Sequence, residues 1–398
     1  MRLKKIIFLG FLFVTTFNVA QEATLSSASK ISLLTVGPGD QVYAKYGHSG
    51  FRIQDPALGL DRIYDYGGFD FEAPFFIWKF ARGKLDYHMS RYPTDLFIKI
   101  YKNENRWVQE QNLNLTHDQK NQLFAFLQNN YREENRNYRY DFLFDNCATK
   151  IPEVLKDGLG DQLEFNYSHL ENLFTFRQLI HQNLNENDWQ TFGIDLALGS
   201  IIDNKASPWE HQFLPLYVSQ QMSNTKVKGE DFVAKSTLLL SEKPKQNKGL
   251  FILKPLLWLV LLLLVVMAFT YFDYKKNKRS KWLDFSLFLL TGLAGVLIFF
   301  LWFLTDHSFT KDNFNLLWAF PINLVLAIIL AKRKTPAKWV IKYLWVLLSF
   351  IFVLIMLWLF KIQIFSPLLI FIILALGIRY LFLIHSLGRS EIAQTLNS

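Results

Sequence analysis

Two short segments of this 398-residue chain concentrate side chains able to do chemistry. The first reads Gly37-Pro38-Gly39-Asp40 and then Tyr46-Gly47-His48-Ser49-Gly50-Phe51-Arg52. The second runs from Tyr138 through Tyr140, Asp145, Asn146 and Cys147 to Thr149. Cys147 is the sole cysteine. A thiol attacks only as its thiolate, and unassisted it stays mostly protonated near neutrality, so a nucleophilic Cys147 needs a neighbour that takes its proton. Histidine is the side chain tuned for that task. His48, near two glycines at the start of a predicted strand, has room around it for a substrate. Cys147 follows an extended approach and precedes a predicted helix, where a backbone amide and the helix dipole favour both a thiolate and an oxyanion. Composition alone also allows Cys147 to be a small buried hydrophobe, and His88, His117, His169, His181 and His211 share the same half of the chain as alternative partners.

The elements that must position these residues mix two periodicities. Lys30–Val36, 49–53 and 61–66 read as strands, separated by Asp55-Pro56 and Gly59 turn signals. Thr116 and Gln119 form a capping-box pattern ahead of Leu123, Phe124, Leu127 and Tyr131 at helical spacing. Tyr138, Tyr140, Phe142 and Phe144 predict an extended approach to Cys147, and a further helix runs through Pro152, Val154 and Leu155. The pattern predicts an α+β domain. No phosphate-binding loop and no zinc-like His/Cys spacing occurs in the sequence, so neither a cofactor nor a metal is expected.

Composition places that domain outside the cytoplasm. The chain is 51% hydrophobic and 16% aromatic with a net charge of +9, which excludes a disordered chain, a disulfide scaffold and a collagen-like fibre. The excess charge sits in the apolar half: residues 249–398 carry 15 Lys/Arg against 5 Asp/Glu, while 21–248 carry 25 against 29. That distribution reads as membrane topology and not as a nucleic-acid footprint. Residues 1–20 predict a signal peptide, with a basic start at Arg2, Lys4 and Lys5 and a short apolar run; an uncleaved anchor is the alternative. Residues 21–234 then form an exported domain, 235–248 a linker, 249–387 a membrane domain and 388–398 a cytoplasmic tail. Five apolar stretches, 250–272, 282–304, 314–331, 339–360 and 362–385, approach the length of a spanning helix. Basic residues gather in two connections, Lys275 to Lys281 and Lys332 to Lys338, which positive-inside logic assigns to the cytoplasm. The exported domain is thereby outside, in agreement with the signal peptide.

The two chemical segments resemble those of a bacterial membrane-protein family, the Lnb-type lipoprotein N-acyltransferases. The similarity continues through Phe176-Arg177-Gln178-Leu179, Trp189, Phe192-Gly193, Asp195 to Gly199, Asp203 and Phe213-Leu214-Pro215. It resumes at Asp306-His307, Asn313, Asn315 to Trp318 and Pro321. The resemblance implies a circularly permuted papain-like (NlpC/P60-type) cysteine hydrolase or acyltransferase domain of α+β class, followed by an all-α five-helix transmembrane domain in the bacterial inner membrane. It implies Cys147 as nucleophile and His48 as base. It also implies a membrane phospholipid as acyl donor and a diacylated lipoprotein as acceptor, whose α-amine receives the acyl chain through a Cys thioester.

Further residues follow from the same reading. The group that orients His48 is sought on the next strand, among Asp65, Tyr64 and Tyr66; Tyr66 is favoured there. Asn146 either shapes an oxyanion site or starts a turn. Asp306, His307, Asn313, Trp318 and Tyr140 are candidates for the lipid path. Arg82, Lys84 and Arg91, interleaved with Tyr87 and Tyr92, are candidate headgroup contacts, and Phe75, Phe76 and Trp78 read by default as a core aromatic cluster, with a dip into the leaflet as the alternative. Two other classes remain: an exported membrane-anchored cysteine amidase or peptidase acting on cell-wall peptides, and a non-catalytic membrane scaffold.

Overall fold

The computed structural model describes residues 24–396 apart from 71, 245–249 and 333–336, with side chains described as far as Arg389. The predicted signal peptide lies outside the described residues. The exported half is built on a seven-stranded antiparallel sheet of order β10-β5-β1-β2-β3-β4-β6. Its strands are β1 (Lys30–Val36), β2 (His48–Asp55), β3 (Leu60–Gly68), β4 (Asp86–Pro93), β5 (Val108–Leu113), β6 (Asn137–Arg139) and β10 (Val233–Leu240). A smaller sheet holds β7 (Leu163–Phe165), β8 (Thr225–Val227) and β9 (Glu230–Asp231). Central β1 is apolar at Ile31, Leu33, Leu34 and Val36 because it is covered on both faces. One face carries Phe51, Ile53, Tyr64 and Tyr66 against α3 (His117–Asn130) and α4 (Lys150–Leu159). The other carries Leu34, Val36 and Ile63 against Phe97 of α2 (Thr94–Asn103). The short α1 (Phe76–Ala81) lies between β3 and β4. Thr116 and Gln119 form both bonds of the capping box at the start of α3. Three further helices follow in this half: α5 (Phe176–His181), α6 (Trp189–Ala197) and α7 (Pro215–Ser223).

Two expectations are corrected here. Only Asn137–Arg139 of the tyrosine-rich approach is strand. The Asp141 carboxylate then accepts from the Leu143 and Phe144 amides at 2.9 and 3.1 Å, and this local bonding turns the chain before Cys147. Residues 235–240 are not linker but part of β10, which pairs with β5 along the edge of the sheet. The link to the membrane half is correspondingly shorter.

Among the described residues, four helices are long and apolar enough to cross a membrane: α8 (Pro255–Lys276), α9 (Lys281–Phe303), α11 (Trp339–Leu359) and α12 (Leu369–Leu396), the last over Leu369–Arg389. The third apolar stretch, expected to be a fifth spanning helix, is broken. Phe314–Leu317 is a 3-10 turn, Pro321 has no N–H to continue a ladder, and α10 (Asn323–Ala331) has nine residues. At about 1.5 Å per residue α10 covers under half the thickness of a bilayer core. It packs closely on α9 because Gly292 has no side chain; a Cβ there would lie 2.6 Å from the Leu324 amide nitrogen. Residues 388–396 of the expected cytoplasmic tail continue α12 as helix. Near the basic connection, fully buried Arg379 is held by Asp284 at 2.6 Å and Asp273 at 2.8 Å, joining α8, α9 and α12.

All three connections at the opposite end of the membrane helices meet the exported domain. Before α8, the Leu253 carbonyl accepts from Trp189 Nε1 at 3.0 Å, and Lys254 pairs with Asp188. After α9, Asn313 donates to the Leu196 and Ala197 carbonyls at 2.8 and 3.0 Å. Before α12, the Ile364 amide donates to Asp203 at 3.1 Å. Buried Arg177 secures this seam from within, with both oxygens of Asp203 at 2.7 and 3.1 Å and Asp195 at 3.2 Å.

Candidate active site

His48 opens β2 and Cys147 precedes α4, and the fold brings them together. The β2–β3 hairpin sets the register: with Asp55 opposite Leu60, Gly50 lies opposite Asp65. Directly paired residues share a face, so His48, Gly50 and Asp65 lie on the same side as Val36 and Leu34. His48 Nε2 donates to Asp65 Oδ2 at 2.9 Å. The other ring nitrogen has no carboxylate partner, and His48 and Cys147 line the same cleft, close enough for the sulfur to act electrostatically on the imidazole. The same Oδ2 accepts from the Tyr92 hydroxyl at 2.5 Å, and the Tyr101 ring of α2 lies 6.3 Å from the imidazole. The His48 and Asp65 side chains are 18% and 8% exposed. Burial alone pulls the imidazole down, but Tyr101, Cys147 and the Asp65 bond together outweigh it, and His48 is raised well above its ordinary value. A positively charged imidazolium beside the sulfur favours the thiolate.

The preference for Tyr66 as the orienting group is wrong, and Asp65 makes that contact. Tyr64 and Tyr66 alternate onto the opposite face, buried among α3 and α4, where the Tyr66 hydroxyl accepts from Asn130 at 2.9 Å. Asn146 has no donor left for a substrate: both Nδ2 hydrogens are used, on the Phe142 and Phe213 carbonyls at 2.6 and 3.0 Å. Its Oδ1 instead accepts from the Ala148 and Thr149 amides at 2.7 and 3.0 Å, as a helix cap does. Cys147 therefore sits in the first turn leading into α4, and its own N–H makes no hydrogen bond among the described residues. Pro152 is tolerated because it falls within the first turn of α4. Gly47, at φ +90°, carries the chain into β2 where a Cβ would meet the Val36 carbonyl at 2.5 Å.

The thiol opens into a cleft of about 170 Å³ whose walls include Tyr46, Phe69, Tyr87, Tyr140 and Phe213. Two family models account for most of the chain. The Lnb N-terminal periplasmic domain matches residues 17–182, and the Lnb transmembrane domain matches 245–390. The chain belongs to the Lnb family. It is a membrane protein with a periplasmic N-terminal domain and a helical membrane domain. No curated protein and no solved structure matches it.

Within this Lnb protein the other candidates divide. Tyr140 lines the cleft and stacks on Tyr87 at 4.3 Å. Asn313 and Trp318 do not face a lipid path: Asn313 is fully buried in the seam, and Trp318 Nε1 donates to buried Asn315 at 2.9 Å. Asp306 is exposed and pairs with Lys84 at 3.6 Å. His307 lies against Gly83 and Phe309, and burial pulls it below its ordinary value. Of the expected headgroup contacts, Arg91 stacks on Tyr131 at 4.4 Å within the exported domain. Tyr92, noted in the sequence only as interleaved with those basic residues, donates to Asp65. The same alternation that separates Asp65 from Tyr66 could have found it, since Tyr92 pairs with Ile63 on the His48 side.

Proposed function

We propose that this protein is a lipoprotein N-acyltransferase that works through an acyl-Cys147 intermediate. Three things support the reading: the Lnb family is one of acyltransferases, the His strand precedes the Cys helix as in permuted papain-like enzymes, and the cleft adjoins the membrane seam. The observation that carries it is the grouping of Cys147, His48 and Asp65, with the imidazole bonded to a carboxylate and sharing one cleft with the sulfur. The Cys147 thiolate attacks an ester carbonyl of a membrane phospholipid, forming the C–S bond. The tetrahedral oxyanion is met by the Cys147 N–H. As the C–O bond breaks, His48 gives its proton to the leaving lysophospholipid oxygen. The neutral α-amine of a diacylglyceryl-cysteine then attacks the thioester and loses a proton to His48. The C–S bond breaks, leaving the N-acylated lipoprotein and the thiolate–imidazolium pair. Apolar cleft walls limit hydrolysis of the thioester.

The test is mass spectrometry of lipoprotein N-terminal peptides from cells carrying Cys147→Ala. Loss of the N-acyl chain is expected, together with a hydroxylamine-labile acyl group on Cys147 of the unaltered protein. Unchanged lipopeptides with altered cell-wall fragments identify an amidase or peptidase, and no change in either identifies a scaffold.

A further inference from the structure

The aromatic cluster expected to be core is on the surface. Phe75 and Ile77 are each 80% exposed, Trp78 56% and Phe80 53%. Four large apolar side chains on one short hairpin form a patch that a water-facing surface rarely carries. Its surroundings identify what covers it. The Trp78 ring lies 5.9 Å from Phe300, near the outer end of spanning helix α9. The following residues are tied to the same end, the Arg82 carbonyl accepting from the Asp306 amide at 2.9 Å. Basic groups rim the patch: the Arg82 guanidinium over Trp78 at 5.8 Å, with Lys79 and Lys84 nearby. Aromatic side chains with basic neighbours at the mouth of a spanning helix match the headgroup zone of a bilayer.

We propose that α1 is immersed in the outer leaflet of the membrane, and that its aromatic face is the route by which an acyl chain reaches Cys147. The immersion stands by itself; the route rests on the acyltransferase reading. Continuous ring contacts support it. Phe76 stacks on Phe69 at 5.9 Å, Phe69 meets Tyr87 at 5.2 Å, and Tyr87 stacks on Tyr140 at 4.3 Å. Phe69, Tyr87 and Tyr140 are also walls of the thiol cleft. A lipid tail following these rings exchanges one apolar surface for another, without crossing water.

The experiment uses the full chain with Cys147→Ser in phosphatidylethanolamine/phosphatidylglycerol nanodiscs. An environment-sensitive fluorophore is attached at Ile77→Cys or, for comparison, at Leu58→Cys in the exposed turn at the far end of the β2–β3 hairpin. Blue-shifted emission at position 77 is expected, with quenching by shallow nitroxide-labelled phospholipid several-fold stronger than at position 58. Equal quenching at the two positions overturns the immersion. In the chain that keeps Cys147, Phe75→Ser with Ile77→Ser should slow acylation of Cys147 by phospholipid several-fold, with iodoacetamide alkylation of Cys147 checking that the site is folded. Unchanged acylation overturns the route. A parent chain that never becomes acylated overturns the route and the acyltransferase reading together, while quenching at position 77 still decides immersion.

Discussion

Replacing Asp65 with asparagine isolates one charge at the centre of the site. His48 Nε2 and the Tyr92 hydroxyl both donate to the same Asp65 oxygen, at 2.9 and 2.5 Å. An asparagine side chain at position 65, with its Oδ1 in that place, still accepts both bonds and loses only the negative charge. A hydrogen bond to a charged group contributes about 1.5–3 kcal/mol and a neutral one about 0.5–1.5, so the difference is about 1–1.5 kcal/mol. At about 1.4 kcal/mol per pH unit, the raised imidazole should fall by about one unit. The assay compares alkylation of Cys147 by iodoacetate and by neutral iodoacetamide across pH, in the full chain. An imidazolium draws the iodoacetate carboxylate, so the ratio of the two rates falls as His48 loses its proton. In the parent protein the fall is expected well above about pH 6.5, the ordinary imidazole value; in Asp65→Asn it should come about one unit lower. The sign for stability follows from the same shift. A raised native value stabilises the fold fully below the unfolded value and loses that contribution as pH rises through the native one. The substitution should therefore destabilise the fold below about pH 6.5 and change little once His48 is neutral in both proteins. A midpoint that does not move, or moves upward, refutes the assignment of Asp65.

Tyr92→Phe should act with the opposite sign: an Asp65 relieved of the Tyr92 bond attracts the His48 proton more strongly, and the alkylation midpoint should rise. Arg177→Leu removes the arginine from two buried carboxylates at the seam, leaving Asp195 only His181 and Asp203 without an ion pair among the described residues. A cost of about 3–5 kcal/mol is expected, measured as a lower thermal midpoint in detergent. Arg379→Gln should impose a loss on the membrane half by removing the arginine on Asp273 and one of the two on Asp284. Its alkylation ratio at Cys147 should remain that of the parent, which compares the two halves directly.

The two chemical segments were legible because a lone cysteine and a glycine-flanked histidine stand out in composition. The third member was within reach. Asp55-Pro56 and Gly59 marked the hairpin, and its register puts Asp65 on the His48 face while Tyr64 and Tyr66 face the helices. What the sequence lacked was the loop length that fixes pairing, since a shift of one residue exchanges the faces. Residues 235–240 resembled a linker because an edge strand buries little and tolerates polar side chains. The long helices were readable from continuous apolar runs, but hydropathy does not register the backbone break around Pro321. The Phe75–Phe80 aromatics looked like core because hydrophobicity alone does not distinguish a protein interior from a lipid one.

The contacts of Arg177, Asp203 and Asn313 fasten the periplasmic half to the ends of the membrane helices. On the acyltransferase reading proposed above, a catalyst fastened this way does not carry its cargo from one partner to another; each partner would travel sideways through the leaflet to the same narrow doorway. With room at the thiol for one reacting group, any two-partner reaction there must proceed in alternation, the spent donor departing before the next arrival. Its kinetics would then show parallel lines in a double-reciprocal plot, and an excess of either partner would obstruct the other.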